Sequence, residues 1–520
     1  MPLRRFLQTF LLLGLLACLL PAAAQLPPAK TTLGPKPPQG EGGCSVETTC
    51  ADVAPAIIKS ALGPSPLEEN LRHLTDVIGG RVTGSPAAAK AVVWAVAAFR
   101  KSDVDEVHTE KFTVPAGWSE GRTRLEVLAP EPFPVRLVSS GWSPPTPEDG
   151  IAADVVDVRQ GGEADFGRAG ASIKGAIVLV HTKLLETLEE LDGEYMAAPP
   201  IIDRAIHSGA AAVFWMSSRP NLLLYRHSKT LTGEPDELPQ AILAREDAER
   251  IARFLAAGEK VSVRLFMPNR ISGPVESENV IAEIRGREKP DEFLILGAHL
   301  DSWELGTGAL DNGCNAAMVI DAARAIHAAG IVPRRSIRFI LFTGEEQGML
   351  GSAAYARAHR SELDKMDAAV IFDEGTGRVT GFSLGGRKDI AAAVKAALQP
   401  IETLDAGNHT TDAIFGTDNL DFLLEGVPTL VANQEPANYL INYHATSDTF
   451  DKVDFTELKR QVAIAAVTAF GIADYGARLG PRQSRSEIEA LIRECGLADQ
   501  MRGFGFWPQW VSGARGRAPR

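Results

Sequence analysis

The chain has 520 residues, of which 45% are hydrophobic and 23% are charged. This composition is ordinary for a globular protein with two or more domains, and it argues against a fibre or extensive disorder. The formal net charge of −13 argues against a nucleic acid as the partner, because binding to phosphates requires a basic face.

The amino terminus has the pattern of a secretory signal peptide over residues 1–24. Arg4 and Arg5 precede the apolar run Phe10–Leu20, and three alanines end the segment at Ala24. No other run approaches the roughly 20 apolar residues that a membrane span requires. We therefore expect an exported protein (periplasmic, secreted or lumenal), cleaved near Ala24, without a membrane span.

Residues 25–54 are expected to form a flexible leader, because the segment begins with many prolines and glycines. It contains Cys44 and Cys50, which could close a small loop in an exported protein. The sequence leaves open whether these two cysteines are bonded.

Two helix starts follow the leader, and then the pattern changes. Ser65 and Ser85 each precede a proline and a stretch of apolar residues at helical spacing, and Ser65 begins a capping-box pattern. From about Leu128, short apolar runs predict strands near residues 155–158, 176–180 and 211–215, with helices near 201–208 and 245–255. This region contains no cluster of metal-ligating side chains.

The second half of the chain contains four short apolar runs of the buried-strand kind. They are Phe293–Leu296, Ile337–Phe342, Ala368–Phe372 and Val427–Ala432. Between the first two runs, residues 312–329 predict an alanine-rich helix that ends at Gly330.

Imidazole and carboxylate groups follow these runs closely. They are His299, Asp301, Asp311, Glu345, Glu346, Asp373 and His444. Open α/β sheets place their ligand crevice at the carboxyl ends of the strands. Histidine and carboxylate ligands without a nearby thiolate suit zinc that is kept open for catalysis. Two histidines cannot fill two tetrahedral ions, so a carboxylate would bridge a metal pair about 3.5–4 Å apart.

The order of these groups resembles that of the co-catalytic zinc exopeptidases, most closely their plasma glutamate carboxypeptidase (carboxypeptidase Q) group. The order is His-x-Asp, Asp-Asn-Gly, Glu-Glu, Asp, and Tyr-His followed by Asp-Thr. The resemblance implies two Zn²⁺ per chain. One would be held by His299 and Asp373, the other by Glu346 and His444, and Asp311 would bridge both.

The same resemblance implies roles for the neighbouring residues. Hydrolysis would use a metal-bridged water with Glu345 as the general base, and Asp301 would orient His299. The peptide bond from Asp311 to Asn312 would be cis. Tyr443 could donate to the developing oxyanion, or it could be a packed aromatic residue.

The fold class implied is α/β, with a mixed, largely parallel sheet flanked by helices and an inserted, β-rich protease-associated domain. The catalytic domain would comprise residues 55–127 and 275–477, the insertion residues 128–274, and a C-terminal extension residues 478–520. The extension departs from the resemblance, because an aromatic cluster from Phe504 to Trp510 precedes a basic tail. It could pack on its own chain or contact a partner subunit, and a homodimer is left open.

The expected function is hydrolysis of small peptides by a dipeptidase or carboxypeptidase, and an aminopeptidase on the same fold is the alternative. The choice depends on whether a basic group binds the substrate carboxylate or an acidic group binds its amine. Arg378 and Arg387 are the basic candidates near the ligand segments, and Glu374 is the acidic one.

Three further classes of protein compete with a zinc peptidase. Ser383 lies in a G-x-S-x-G pattern and is followed by Asp418 and His444, in the order of a serine hydrolase. The weak strand before Ser383 and the delayed helix after it argue against that interpretation. A non-catalytic, receptor-like homologue would have broken ligands, whereas every ligand position here is filled. A cyclase with one zinc on the same fold is a third alternative.

Overall fold

The computed structural model describes residues 50–519, which fall in one compact unit. The predicted signal peptide and Cys44 lie outside the described residues. The first helix begins at Cys50, inside the segment assigned to the leader. The α-helices are α1 Cys50–Leu62, α2 Leu67–Arg72, α3 Pro86–Lys101, α4 Glu163–Ala169, α5 Leu188–His207, α6 Arg245–Ala256, α7 Cys314–Ala328, α8 Leu350–Ala358, α9 Ala391–Ala397, α10 Asn419–Leu424, α11 Tyr439–Asn442, α12 Phe455–Asp474, α13 Arg485–Glu494, α14 Leu497–Gly503 and α15 Trp507–Ser512.

The strands form two large sheets and one short two-stranded ribbon. They are β1 Glu106–Val114, β2 Trp118–Ser119, β3 Arg124–Ala129, β4 Leu137–Ser139, β5 Ile151–Asp157, β6 Ile177–Val180, β7 Ala212–Met216, β8 Gln240–Leu243, β9 Ser262–Phe266, β10 Arg270–Ile271, β11 Val275–Ile284, β12 Lys289–His299, β13 Arg335–Phe342, β14 Met366–Ile371, β15 Val379–Ser383 and β16 Thr429–Gln434.

The first sheet has the order β1-β11-β13-β12-β14-β16-β15. The four predicted buried strands are confirmed as β12, β13, β14 and β16, which are parallel to one another and lie together. Strands β1, β11 and β15 are added antiparallel. The sheet is therefore mixed, as expected, but only its centre is parallel. The continuous apolar runs belong to this centre because helices cover both of its faces.

The parallel register brings the ends of the central strands to one edge of the sheet. His299 at the end of β12 pairs with Phe342 at the end of β13, and Gly297 pairs with Ile371 at the end of β14. Side chains that follow these strands consequently share one crevice.

Helices α7 and α12 pack on each other and on the sheet. Both are rich in alanine and are almost entirely buried, so their backbones can approach closely. Helix α7 starts at Cys314 and not at Asn312, because Asp311 and Asn312 have non-helical backbone angles. The Asp311–Asn312 peptide bond is cis, as the family resemblance implied.

The two predicted helix starts have different outcomes. Ser85 caps α3 by accepting a hydrogen bond from the Ala88 N–H at 3.1 Å. The capping box predicted at Ser65 does not form, because Pro66 occupies the cap position of α2 and makes no side-chain cap bond.

The second sheet is built from residues between β1 and β11, in the order β3-β9-β5-β6-β7-β8-β4. The predicted strands of this region are confirmed as β5, β6 and β7, and the predicted helices lie within α5 and α6. Its central strands β5 to β8 are parallel. Helices α4 and α5 pack on one face and α6 on the other, so the insertion is more α/β in character than the expected β-rich module. Its assignment as a protease-associated domain remains a prediction.

The C-terminal extension packs on its own chain. Phe506 and Trp510 are buried with Leu420 and Leu424 of α10. The guanidinium group of Arg515 donates to both oxygens of the buried Asp421 carboxylate, at 2.7 and 2.9 Å. Among the described residues, no helix is long and apolar enough to cross a membrane.

Candidate metal centre

Five predicted ligands meet at the carboxyl ends of β12, β13, β14 and β16. They form two groups whose ligand atoms lie within 4.8 Å of one another: His299, Asp311 and Asp373, and Asp311, Glu346 and His444. The sequence prediction divided the same residues in the same way.

Asp311 belongs to both groups, and its two carboxylate oxygens face different histidines. Oδ1 lies 3.2 Å from Nε2 of His299, and Oδ2 lies 3.1 Å from Nε2 of His444. The outer carboxylates complete the arrangement, with Asp373 Oδ1 at 2.9 Å from Nε2 of His299 and Glu346 Oε2 at 2.8 Å from Nε2 of His444. This geometry allows one carboxylate to bridge two cations.

The segment that carries Asp311 is held by Asp448, which the sequence analysis assigned no role. The Asp448 carboxylate accepts the backbone N–H groups of Ala309, Leu310 and Asp311 at 3.0, 2.7 and 3.2 Å. These contacts fix the main chain from Ala309 to Asp311. The signal available in the sequence was the Asp-Thr that follows Tyr-His.

Arg81 is a second residue that the sequence analysis missed. Its guanidinium group is buried and donates to the carbonyl oxygens of Leu300, Thr307 and Gly308 at 2.7 to 2.9 Å. It thereby fixes the loop that leads from His299 to Asp311. No local pattern distinguishes this arginine, because its partners lie more than 200 residues further along the chain.

Asp301 has a different contact from the one expected. Nδ1 of His299 lies 3.1 Å from the main-chain carbonyl oxygen of Asp301, whereas the Asp301 carboxylate is 3.7 Å away. The carboxylate instead accepts the backbone N–H groups of Glu345 and Glu346, both at 3.3 Å, and the hydroxyl of Thr83 at 2.8 Å. Asp301 therefore orients His299 through its main chain and positions the Glu-Glu turn through its side chain.

The electrostatics of the centre fit divalent cations. Burial raises the pKa of Glu346 to about 7 and that of Glu345 well above its usual range, and neighbouring carboxylates add to both effects. Within this centre, Glu346 Oε1 is buried without a hydrogen-bond partner among the described residues. Crowded carboxylates with free lone pairs beside two imidazoles form a donor set suited to zinc.

The loop that carries His444 is held by the insertion. His444 has a φ of 58°, in the left-handed region, and its carbonyl oxygen accepts the backbone N–H of Arg226 at 3.0 Å. Nη2 of Arg219 donates to the carbonyl oxygen of Tyr443 at 3.2 Å. The Tyr443 ring stacks on the His444 imidazole with 3.7 Å between centroids, and its hydroxyl lies 2.9 Å from that of Tyr195 in α5. The insertion thus contributes directly to the site.

A pocket opens over the metal ligands, and the charged side chains that line it beyond the histidines are all acidic. Beyond the ligands and Glu345, the acidic groups Asp192 and Glu374 line it, and no lysine or arginine is among its lining residues in the described part of the chain. Arg378 is instead paired at the surface with Glu435, and Arg387 with Asp389 at 2.6 and 2.7 Å. Of the three candidates for binding a substrate terminus, only Glu374 reaches the pocket.

The residues of the competing serine hydrolase do not assemble. Ser383 is fully buried at the end of β15, and its hydroxyl donates to the carbonyl oxygen of Asp412 at 2.9 Å. His444 contacts Asp311 and Glu346 instead. Cys314 is buried in the first turn of α7, and its thiol donates to the carbonyl oxygen of Leu310 at 3.3 Å.

Comparisons with known proteins agree with this geometry. Residues 279–469 match the model of Peptidase family M28. Carboxypeptidase Q of Rattus norvegicus is 28% identical over 432 residues, which cover 81% of this chain and 89% of that protein. Aminopeptidase YwaD of Bacillus subtilis (strain 168) is 27% identical over 305 residues, which cover 58% of this chain and 59% of that protein.

A solved structure extends the likeness to the fold. The crystal structure of a Peptidase M28 precursor from Shewanella amazonensis SB2B is 28% identical, with a TM-score of 0.77, and the match covers 84% of this chain and 99% of that one. The resemblance inferred from the ligand order is therefore confirmed. Residues 279–469 match the Peptidase family M28 model and the ligand set suits zinc, so the protein is a zinc-dependent metallo-exopeptidase.

Proposed function

We propose that the protein is an exported di-zinc exopeptidase that hydrolyses dipeptides and other small peptides, which it recognises by their free α-amino group. The observation that carries the choice of terminus is the charge of the pocket, which has acidic groups beyond the metal ligands and no cation among its described lining residues. Recognition of a C-terminal carboxylate requires a basic partner, so the pocket favours the amino end of the substrate.

In this proposal, His299 and Asp373 hold one zinc ion, Glu346 and His444 hold the other, and Asp311 contacts both. The support is the facing of each Asp311 oxygen toward a different histidine. Zinc bound in these positions supplies Lewis-acid polarisation of the scissile carbonyl and lowers the pKa of water.

Glu345 is the general base of the proposed reaction. Its carboxylate lines the pocket, and Oε2 lies 4.0 Å from Nε2 of His299, beside the first ligand group. The hydrogen bond from its backbone N–H to Asp301 fixes the residue at the end of β13. Glu345 accepts a proton from the attacking water and delivers it to the amine that leaves when the peptide bond breaks. The Tyr443 hydroxyl donates to the carbonyl oxygen as negative charge develops there.

Glu374 is the proposed partner of the substrate α-amino group. It follows the ligand Asp373 directly in sequence and lines the same pocket. Its carboxylate is half-buried, and burial and the charge of Asp373 raise its pKa to about 7. Among the described residues, no cation acts on this pKa. A substrate ammonium group would supply the missing counter-charge at a fixed distance from the metals.

Export is proposed from the signal-peptide pattern of residues 1–24. Full-length protein expressed in its own host should lose this segment. Amino-terminal sequencing of the purified protein tests this directly.

The substrate assignment is tested with zinc-loaded enzyme and a matched substrate set. Free dipeptides and dipeptide amides should be hydrolysed, whereas N-acetylated dipeptides should be poor substrates because they lack the ammonium group. Hydrolysis of N-acetylated dipeptides together with loss of the amides would reverse the assignment to a carboxypeptidase. Hydrolysis of aminoacyl anilides and tripeptides at rates similar to those of dipeptides would extend the function to an aminopeptidase.

The metal requirement has its own test. A chelator should abolish activity and added zinc should restore it, while a serine-directed phosphonate should have no effect. Inactivation by the phosphonate would favour the serine hydrolase alternative.

A further inference from the structure

The outer wall of the pocket comes from two segments outside the family-matched residues. Helix α5 of the insertion and helix α14 of the C-terminal extension contact each other and both line the pocket. They pack so closely that a Cβ added at Gly503 would lie 2.3 Å from Sδ of Met196. This part of the pocket is thus a built surface and not a chance opening.

Most of this wall is apolar. Leu188, Leu191 and Phe504 belong to these two segments, and Leu231, Met349 and Phe415 continue the apolar surface beside them. The Phe504 ring stacks on Tyr195 of α5, with 5.4 Å between centroids, and contacts Phe415 at 4.9 Å, so it joins the two segments to the rest of the pocket. Such a surface accommodates the methylene stem of a long side chain.

Asp192 is the charged exception on this wall. Its Oδ2 accepts a hydrogen bond from Nε2 of Gln500 in α14 at 3.3 Å. Burial raises the pKa of Asp192 to about 6, the contact with Gln500 opposes this change, and the charge of Glu189 adds to it. Among the described residues, no lysine or arginine offsets the charge, so Asp192 is a half-buried carboxylate without a counter-ion inside a substrate pocket.

The position of Asp192 relative to the metals follows from the helix that carries it. Tyr195, three residues further along α5, reaches the site through its 2.9 Å contact with the Tyr443 hydroxyl. Asp192 lies one turn earlier on the same side of α5, about 4.5 Å along the axis.

We propose that Asp192 is a specificity-determining residue that binds the cationic end of a lysine-like or arginine-like side chain of the peptide substrate. The apolar wall would contact the methylene stem, and Gln500 would hold the carboxylate in place. This inference rests on the proposed peptidase function. It assigns the substrate side chain to Asp192 and leaves the α-amino group with Glu374.

The test compares lysine with norleucine, which has a stem of the same length and no charge. Values of kcat/KM are measured with zinc-loaded full chain for Lys-Ala, Nle-Ala, Ala-Lys and Ala-Nle, so that either substrate position can respond. In the unaltered protein, kcat/KM for the lysine dipeptide should be at least ten times that for its norleucine counterpart, with the long side chain at either the first or the second position. In Asp192→Asn this ratio should fall at least tenfold.

The matched control is Asp499→Asn, because Asp499 is exposed on α14 next to Gln500 and pairs with Arg502. Its lysine-to-norleucine ratio should equal that of the unaltered protein. An unchanged ratio in Asp192→Asn, or a preference for norleucine in both orders in the unaltered protein, would overturn the assignment.

A binding measurement separates this inference from the proposed function. Calorimetric titration of the same four dipeptides into zinc-loaded Glu345→Gln, with and without Asp192→Asn, gives the affinity ratio without turnover. If the lysine dipeptides bind more tightly and this preference depends on Asp192, the role of Asp192 is supported. Absence of hydrolysis by the unaltered protein would then refute the peptidase proposal alone. Equal affinities for lysine and norleucine dipeptides in both variants would refute the role of Asp192 alone.

Discussion

The hydroxyl groups of Tyr195 and Tyr443 lie 2.9 Å apart and join the insertion to the metal centre. Tyr443 stacks on His444, and Tyr195 is held between His227 at 4.5 Å and Phe504 at 5.4 Å. Because both rings are fixed, the hydrogen bond sets the direction of the Tyr443 hydroxyl. Tyr195 is therefore a positioning residue for the proposed oxyanion donor.

Tyr195→Phe should lower kcat about tenfold with little change in KM, because the lost contact matters most where charge develops in the transition state. Tyr443→Phe should have an effect at least as large, and the double variant should be no worse than Tyr443→Phe alone. Steady-state kinetics on one dipeptide measure all three. Tyr475→Phe is the control, because Tyr475 lies at the opposite end of β13, where its main-chain carbonyl oxygen accepts a hydrogen bond from Nη1 of Arg335. Additive losses in the double variant would contradict the coupling.

Glu345→Gln should separate catalysis from metal binding. The amide cannot accept the proton of the attacking water, so kcat should fall about 10²- to 10⁴-fold. The metal ligands are untouched, and the zinc content measured by elemental analysis should stay as in the unaltered protein. Glu276→Gln, at an exposed ion pair with Lys111, is the matched control and should keep full activity. Retention of most activity by Glu345→Gln would remove the residue from the base role.

Asp311→Ala should abolish binding of both metals, since both groups of ligands share this carboxylate. Metal that binds only the folded state stabilises it by mass action. Added zinc should therefore raise the melting temperature of the unaltered apoprotein and leave that of Asp311→Ala unchanged. Elemental analysis should find less than half of the normal zinc. A variant that retains one zinc per chain would show that Asp311 does not serve both sites.

The predictable part of this molecule is the part that a short stretch of sequence encodes. Buried parallel strands have continuous apolar runs, so β12, β13 and β14 and the ligands just after them could be read directly. Strand β1 could not be predicted in this way. It lies at an edge of the sheet, and its residues alternate between exposed and half-buried, so it has no continuous apolar run. Arg81 and Tyr195 were missed for another reason. Each acts on a partner more than 200 residues away, and nothing near it in sequence marks that contact.

Asp236, far from the metal ligands in sequence, gives a prediction about stability and pH. The buried carboxylate accepts hydrogen bonds from the Thr230 hydroxyl at 2.8 Å and from Nε2 of Gln240 at 2.7 Å. Burial raises its pKa from 3.8 to about 7, although the Thr230 contact and the charge of Lys229 oppose this change. Between these two pH values the unfolded chain releases a proton that the folded chain retains.

The contribution of Asp236 to the free energy of unfolding should therefore be fully present below about pH 4 and should be lost as the pH rises to about 7. Asp236→Asn removes this titration. The free energy of unfolding of the unaltered protein, minus that of Asp236→Asn, should decrease from pH 4 to pH 7 and then level off. Urea unfolding of metal-free proteins measures it, with Asp499→Asn as the exposed control. A difference that is constant over this range, or that increases with pH, would show that the Asp236 carboxylate is ionised in the folded protein.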